Sequence, residues 1–167
     1  MIIKGIIDCD LINYKKPAMV IEFPNCTFKC DKECGRQVCQ NGALAGAPPI
    51  PILVSEIVDR YLQNDMSQAI VCQGLEPFDS WTDLRNLIRA LRQYTEDDIV
   101  IYTGYNVEEL EEELMYIWDV GYKNIIIKYG RYIPGQKPHY DEILGVNLAS
   151  DNQYAEKISW QKNKNMI

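Results

Sequence analysis

The sequence lacks long apolar runs and a recognisable secretion signal. No segment approaches the roughly 20 consecutive apolar residues that a transmembrane helix requires. The opening residues, MIIKGIIDCD, contain neither the apolar central run nor the small-residue cleavage site of a signal peptide. We therefore expect a cytoplasmic protein without a membrane span.

Positive charge and histidine are also scarce. The 167 residues carry 17 Lys and Arg against 24 Asp and Glu, so the formal net charge is -7. Such a surface repels phosphate backbones, which disfavours direct binding of nucleic acids. The one histidine, His139, stands in the polar stretch KPHYDE, where we expect a solvated side chain rather than a metal ligand or a base.

Hydrophobic residues make up 47% of the chain, enough to bury the core of a single domain, residues 1–167, without disulfides. Apolar segments rich in β-branched residues recur and predict buried strands. They are AMVIEF at 18–23, QAIVCQ at 68–73, DIVIYT at 98–103 and NIIIKY at 124–129. Since helical patterns separate the later ones, we predict an α/β fold of parallel strands joined by right-handed crossovers and covered by helices.

The helical patterns have recognisable start signals. VSEIVDRYLQND has Ser55 as a plausible N-cap, WTDLRNLIRALRQY follows Ser80, and a third, acidic helix opens at Asn106. Residues 40–53 are rich in Gly, Ala and Pro and predict a connecting loop. The tail from residue 130 onward predicts irregular structure that packs over the sheet or closes one of its edges.

Cysteines cluster after the first of these strands. CTFKCDKEC places Cys26, Cys30 and Cys34 in one short loop, and Cys39 follows. In the cytoplasm, clustered cysteines indicate metal or redox chemistry more often than disulfides. Three thiolates can hold a 4Fe-4S cluster with one open iron, whereas four, with Cys39, suit structural zinc. The spacing alone leaves both open, together with a disulfide or spare reduced thiols.

The other unusual stretches of the sequence also follow predicted strands. QGLEP comes after the second strand, YTGY after the third and KYGRY after the fourth. In α/β folds, functional groups collect at the carboxyl ends of parallel strands. We therefore predict a single site that combines these stretches with the cysteine loop.

Several motifs together resemble one enzyme superfamily. MVIEFPNCTFKCDKEC resembles the cluster loop of radical SAM enzymes, whose usual spacing is C-x3-C-x2-C. QGLEPFDS is similar to their Gly-Gly-Glu-Pro motif. IVIYTGYNVEEL and YGRYIPGQKPHYDEILGVNLASDNQ resemble the YTGY, DGRF and GSSNQ segments of the activating proteins of anaerobic (class III) ribonucleotide reductase. The resemblance covers most of the chain in the same order.

This resemblance implies a partial (βα) barrel of parallel strands with outer helices, radical SAM-like. It implies that three cysteines ligate a 4Fe-4S cluster whose fourth iron binds S-adenosylmethionine. The implied metal ligands are Cys26, Cys30 and Cys34. The implied cofactor-binding residues are Gly74, Leu75, Glu76, Pro77, Thr103 and Tyr105, with the carboxylate of Glu76 suited to hold the ammonium group of the cofactor.

One departure concerns the third ligand. Asp31, Lys32 and Glu33 separate Cys30 from Cys34, where the family has two residues. Choosing Cys39 instead would lengthen this gap further, so Cys34 is the predicted ligand.

The implied activity is reductive cleavage of S-adenosylmethionine to a 5'-deoxyadenosyl radical. That radical would generate a glycyl radical on anaerobic ribonucleotide reductase, the implied protein partner, with a reductant such as flavodoxin. Two alternatives are a radical SAM enzyme for another glycyl-radical enzyme or a small molecule, and a non-catalytic zinc-stabilised binding module.

Overall fold

The computed structural model describes residues 1–158, so residues 159–167 of the predicted single domain lie outside the described residues. The strands are β1 Ile2–Ile3, β2 Gly5–Asp10, β3 Ala18–Phe23, β4 Ile50–Pro51, β5 Ala69–Gly74, β6 Asp98–Tyr102, β7 Ile125–Tyr129, β8 His139–Asp141, β9 Val146–Leu148 and β10 Tyr154–Ile158. The helices are α1 Lys29–Cys34, α2 Gly42–Ala45, α3 Val54–Leu62, α4 Trp81–Leu91 and α5 Glu111–Val120, with short 3-10 helices at Pro77–Ser80 and Val107–Glu109.

A six-stranded sheet, in the order β10-β7-β6-β5-β3-β2, forms the centre of the fold. Its inner strands β3, β5, β6 and β7 pair in parallel, and the edge strands β2 and β10 pair antiparallel to their neighbours. The inner strands are apolar runs buried along nearly their whole length, as parallel strands covered on both faces must be. The predicted α/β fold with a mostly parallel sheet is confirmed.

The two faces of the sheet are covered by different elements. Helices α3, α4 and α5 pack on one face, where α4 buries Leu84, Leu87, Ile88 and Leu91 at helical spacing. On the other face, Tyr14, Leu144 and Leu148 pack against the alternate side chains of the strands. Within the tail, residues 130–138 form no helix or strand, as predicted, but residues 139–158 supply the hairpin of β8 and β9 and strand β10. Strand β10 closes one edge of the sheet, and the end of the tail at 159–167 lies outside the described residues.

Three local predictions need correction. The predicted loop at 40–53 contains α2 and β4, which pairs with β1. Helix α3 begins at Val54 rather than after Ser55, and Glu56 accepts a hydrogen bond from the backbone N–H of Leu53 at 2.8 Å. His139 lies in β8 and is half-buried rather than fully solvated, and its buried Nδ1 has no hydrogen-bond partner among residues 1–158.

The other two predicted helix starts, at Ser80 and Asn106, lie at or near the beginning of a helix. Ser80 occupies the N-cap position of α4, but its hydroxyl accepts a hydrogen bond from Asn25 at 2.9 Å instead of capping the helix. Asn106 precedes the 3-10 helix, and α5 begins only at Glu111. None of the helices in residues 1–158 is long and apolar enough to cross a membrane.

Candidate functional site

A cavity of about 380 Å³ lies at the carboxyl ends of the inner strands. Its wall combines the cysteine loop with the segments that follow β5, β6 and β7, as predicted for a single site. Val146 and Leu148 of β9 border it as well. The lining residues from the strand ends include Cys26, Gly74, Leu75, Glu76, Thr103, Gly104, Tyr105, Lys128 and Arg131.

The cysteine loop places three of its four thiols at this cavity. Cys26 follows β3, and its Sγ accepts a hydrogen bond from the backbone N–H of Phe28 at 3.2 Å. Cys30 lies in the first turn of α1, and Cys39 lies in the segment after that helix. Cys34 is the last residue of α1, is exposed and is not part of the cavity wall. The structure thus brings Cys26 and Cys30 together with Cys39.

The thiols of Cys26 and Cys30 both have a raised pKa. Burial raises the pKa of Cys26 to about 11, and the carboxylates of Glu76 and Asp79 add to the effect. Burial, followed by the neighbouring Cys39 thiol, also raises the pKa of Cys30. Because a metal binds the thiolate, loading of this site releases protons and is favoured by higher pH.

Hydrogen bonds fold the segment after α1 back over the cavity. One carboxylate oxygen of Asp31 accepts from the backbone N–H groups of Val38 and Cys39, at 2.7 and 2.8 Å. The side-chain amide of Asn41 donates to the carbonyl of Gly74 at 2.7 Å. The loop is therefore anchored both to its own helix and to the end of β5.

Glu76 joins the ends of β5 and β6. Its carboxylate accepts hydrogen bonds from the Phe78 N–H, the Thr103 hydroxyl and the Gly104 N–H, at 3.1, 2.8 and 2.8 Å. The side chain belongs to a residue only 5% exposed, and burial raises its pKa to about 7 despite these donors. The resemblance implies that this carboxylate binds an ammonium group. In the structure, its hydrogen bonds join the segments after β5 and β6 that line the cavity.

The segment after β5 runs beside the start of the cysteine loop. The backbone N–H of Glu76 donates to the carbonyl of Asn25 at 2.7 Å. Gly74 has φ +101°, and a Cβ there would lie 2.8 Å from the backbone nitrogen of Phe23, so only glycine fits this close approach. Pro77 is buried in a 3-10 helix and, alone among the predicted cofactor-binding residues, does not line the cavity.

Tyr105 links the end of β6 to the cysteine loop. Its hydroxyl donates to Asp79 at 2.5 Å, and the other carboxylate oxygen of Asp79 accepts from the backbone N–H of Thr27 at 2.8 Å. The predicted residues Thr103 and Tyr105 therefore lie in the same wall as Glu76.

Lys128 is a cavity residue to which the sequence analysis assigns no role. It is 7% exposed, and its ammonium group donates to the carbonyl of Gly130 at 3.0 Å. Burial lowers the pKa of Lys128 to about 8, while the nearby Glu76 opposes this shift. The available sequence signal is a single charged residue inside the apolar strand segment IIIKY.

Arg131 is a second residue without an assigned role. Two of its guanidinium nitrogens bind the two carboxylate oxygens of Glu109, each at 2.7 Å, and a third lies 3.3 Å from Glu33 of α1. The guanidinium also lies 5.6 Å from the ring centroid of Tyr105. These contacts tie α1 to the ends of β6 and β7 at the rim of the cavity.

Residues 18–139 match the model of a protein family described as "4Fe-4S single cluster domain". The chain belongs to this family. No curated protein and no solved structure matches the chain. The matched region of this 4Fe-4S single cluster domain contains the whole cysteine loop and the ends of the inner strands, so the family supports the predicted 4Fe-4S cluster as the metal centre.

The thiols at the cavity suit such a cluster. Thiolates are the usual ligands of iron-sulfur clusters, and Cys26, Cys30 and Cys39 all line one cavity. Within residues 1–158, no three His, Cys, Asp or Glu side chains lie close enough together to bind a single metal ion.

Proposed function

We propose that this 4Fe-4S single cluster domain is a radical SAM activating enzyme that generates a glycyl radical on anaerobic ribonucleotide reductase. One observation carries the proposal. The thiols of Cys26 and Cys30 share a single cavity with Gly74, Glu76 and Thr103, which resemble the cofactor-binding residues of that superfamily. A cluster ligand set and a small-molecule pocket thus meet at the same strand ends.

The dimensions of the cavity support a small-molecule cofactor beside the cluster. Its volume of about 380 Å³ falls within the range of roughly 300–1,000 Å³ that is typical of ligand pockets. The pocket also holds two buried ionisable groups of opposite type, the carboxyl of Glu76 and the amine of Lys128. Such a pair suits the ammonium and carboxylate groups of an amino acid, which S-adenosylmethionine carries at its methionyl end.

The fold supports the same proposal. The crossover helices α3, α4 and α5 all pack on one face of the parallel strands, as helices do on the outside of a (βα) barrel. We propose that the central sheet is a partial barrel of this kind. Its inner face would then carry the cavity, at the carboxyl ends of the strands.

When bound, a reduced cluster would supply the electron for cleavage of the S–C5' bond of S-adenosylmethionine, so that methionine would be released and a hydrogen atom could be taken from the partner glycine. The chain itself binds and orients the reactants. Cys26 and Cys30 would hold two irons, and the segment from Gly74 to Glu76 would border the methionyl group. The hydrogen bonds of Thr103 to Glu76 and of Tyr105 to Asp79 keep that wall in place.

The proposed partner is a protein rather than a small molecule. The segments YTGY and YGRY are those that resemble the activating proteins of anaerobic ribonucleotide reductase, and both border the cavity. A reductant such as flavodoxin is proposed as the electron donor. If the chain forms a glycyl radical on a different glycyl-radical enzyme and none on the reductase, this choice of partner is wrong while the cleavage chemistry stands.

The activity is tested by measuring 5'-deoxyadenosine. The protein is reconstituted anaerobically with iron and sulfide, reduced with dithionite and supplied with S-adenosylmethionine. We expect 5'-deoxyadenosine and methionine in equal amounts from the parent and none from Cys26→Ser. Cys9→Ser is the matched control, because Cys9 lies in β2 and does not line the cavity. A fully loaded parent that forms no 5'-deoxyadenosine would refute the proposal.

A further inference from the structure

We infer that Cys39, rather than Cys34, is the third thiolate ligand of the 4Fe-4S cluster. The inference rests on the proposed function, which requires a cluster with one iron that no thiolate binds. It assigns the third ligand to Cys39, whereas the sequence spacing assigns it to Cys34. It changes the ligand pattern from C-x3-C-x3-C to C-x3-C-x8-C.

The positions of the two thiols carry the inference. A cluster ligand must reach the space that Cys26 and Cys30 share, because all three sulfur atoms bind one compact metal centre. Cys39 lines that space together with Cys26 and Cys30. Cys34 is exposed at the end of α1 and does not line the cavity.

The loop between Cys34 and Cys39 explains how the longer gap is bridged. Gly35 ends α1 with φ +65°, a left-handed conformation that reverses the chain direction at the end of a helix. Asp31, on the helix, then accepts from the backbone N–H groups of Val38 and Cys39 at 2.7 and 2.8 Å. This paired hydrogen bond returns the chain to the first turn of α1, where Cys30 lies.

A second anchor holds the same segment over the pocket. Asn41, two residues beyond Cys39, donates its side-chain amide to the carbonyl of Gly74 at 2.7 Å. The segment from 38 to 41 is thus fixed at both ends, by Asp31 and by the end of β5. A short spacing in the sequence is not needed when tertiary hydrogen bonds already hold the thiol at the site.

The test measures iron and acid-labile sulfide per chain after anaerobic reconstitution of single variants. We expect Cys34→Ser to load as fully as the parent. We expect Cys39→Ser to lose iron to the same degree as Cys26→Ser, at least about threefold, because each lacks one ligand. Asp31→Ala should also load less than the parent, since it keeps every thiol but frees the backbone that positions Cys39. Circular dichroism of each variant checks that the fold is retained.

Each other outcome overturns the inference. If Cys34→Ser loses iron and Cys39→Ser does not, Cys34 is the ligand. If both variants lose iron, four thiolates hold the metal and no iron is open. If the parent binds zinc and never assembles a cluster, the inference and the proposed function both fail.

The two proposals fail in different ways. If 5'-deoxyadenosine forms while Cys39→Ser keeps its iron, the function stands and the ligand assignment falls. If Cys34→Ser is fully loaded, Cys39→Ser is depleted and no 5'-deoxyadenosine forms in the parent, the ligand assignment stands and the function falls.

Discussion

Glu76 carries a carboxyl group that is buried in the wall of the cavity and yet hydrogen-bonded by three protein donors. Burial raises its pKa from 4.5 to about 7, and the nearby Asp79 carboxylate adds to the shift. The protonated form is therefore favoured in the folded state. Near neutral pH the group changes its charge beside the place where we propose that the cofactor binds.

This shift predicts a pH-dependent contribution of Glu76 to stability. Because the pKa is raised on folding, the contribution is fully present below pH 4.5 and is lost as the pH rises through about 7. Relative to Glu76→Gln, the free energy of unfolding of the parent should therefore fall over this window, by up to about 3 kcal/mol.

Urea unfolding of the unliganded protein at a series of pH values measures this difference. The control is Glu112→Gln, an exposed position on α5, which should run parallel to the parent. Parallel curves for the parent and Glu76→Gln would show that the carboxyl is not perturbed as described.

Residue roles follow from the sequence only where a local pattern carries them. Cys26, Gly74 and Thr103 stand in motifs directly after apolar strands, and the structure places all three at the cavity. The positions of Cys34 and Cys39 depend on the turn at Gly35 and on hydrogen bonds to Asp31, which spacing does not encode.

Arg131 gains its role only through the fold. Its partners Glu33 and Glu109 come from distant parts of the chain. No local pattern around Arg131 predicts that these three side chains meet, so their ion-pair network becomes visible only in three dimensions.

The contact between strands β3 and β5 determines how closely the cysteine loop approaches the segment that follows β5. Gly74 pairs with Phe23 at the last position of the two strands. A Cβ at Gly74 would lie 2.8 Å from the Phe23 nitrogen and 2.9 Å from the Cα of Glu22, and φ is +101°. Both obstacles involve backbone atoms, which cannot move aside as a flexible side chain can.

We therefore expect Gly74→Ala to destabilise the protein by about 2 to 4 kcal/mol, through the left-handed backbone and the clash together. Thermal and urea unfolding measure the loss. Gly46→Ala is the matched control, because Gly46 has φ -77° and its nearest contact would be an ordinary 3.6 Å. It should change stability by less than about 1 kcal/mol. Equal effects of the two substitutions would contradict this account of the strand contact.

The elements themselves were predictable where the pattern is strong. The inner strands are continuous Val and Ile runs, and α4 has a clear apolar stripe, so their existence follows from the sequence alone. Strand β10, YAEKI, alternates weakly and is defined by its pairing with β7. Helix α2 and strand β4 are short and lie in a stretch rich in Gly, Ala and Pro, so the local sequence does not predict them. Strand β4 is defined by its pairing with β1.

At the scale of the whole molecule, the sheet is covered on both faces. In the described part of the chain, the cavity is bounded by loops and not by a second domain. One face of the sheet is closed by three helices and the other by residues such as Tyr14, Leu144 and Leu148, and the cavity lies at the carboxyl ends of the inner strands. The family match supports a 4Fe-4S cluster in this chain. We propose that an open iron of this cluster binds a cofactor in the cavity and that the site faces a loop of another protein.

We propose that S-adenosylmethionine binds directly to an iron of this cluster that has no protein ligand. The most direct measurement is electron paramagnetic resonance of the reconstituted protein, reduced by one electron, before and after S-adenosylmethionine is added. We predict that the cofactor changes the spectrum of the cluster, and that S-adenosylmethionine with label in its amino or carboxylate group shows coupling to the cluster. A fully loaded, reduced cluster whose spectrum is identical with and without the cofactor would contradict the claim.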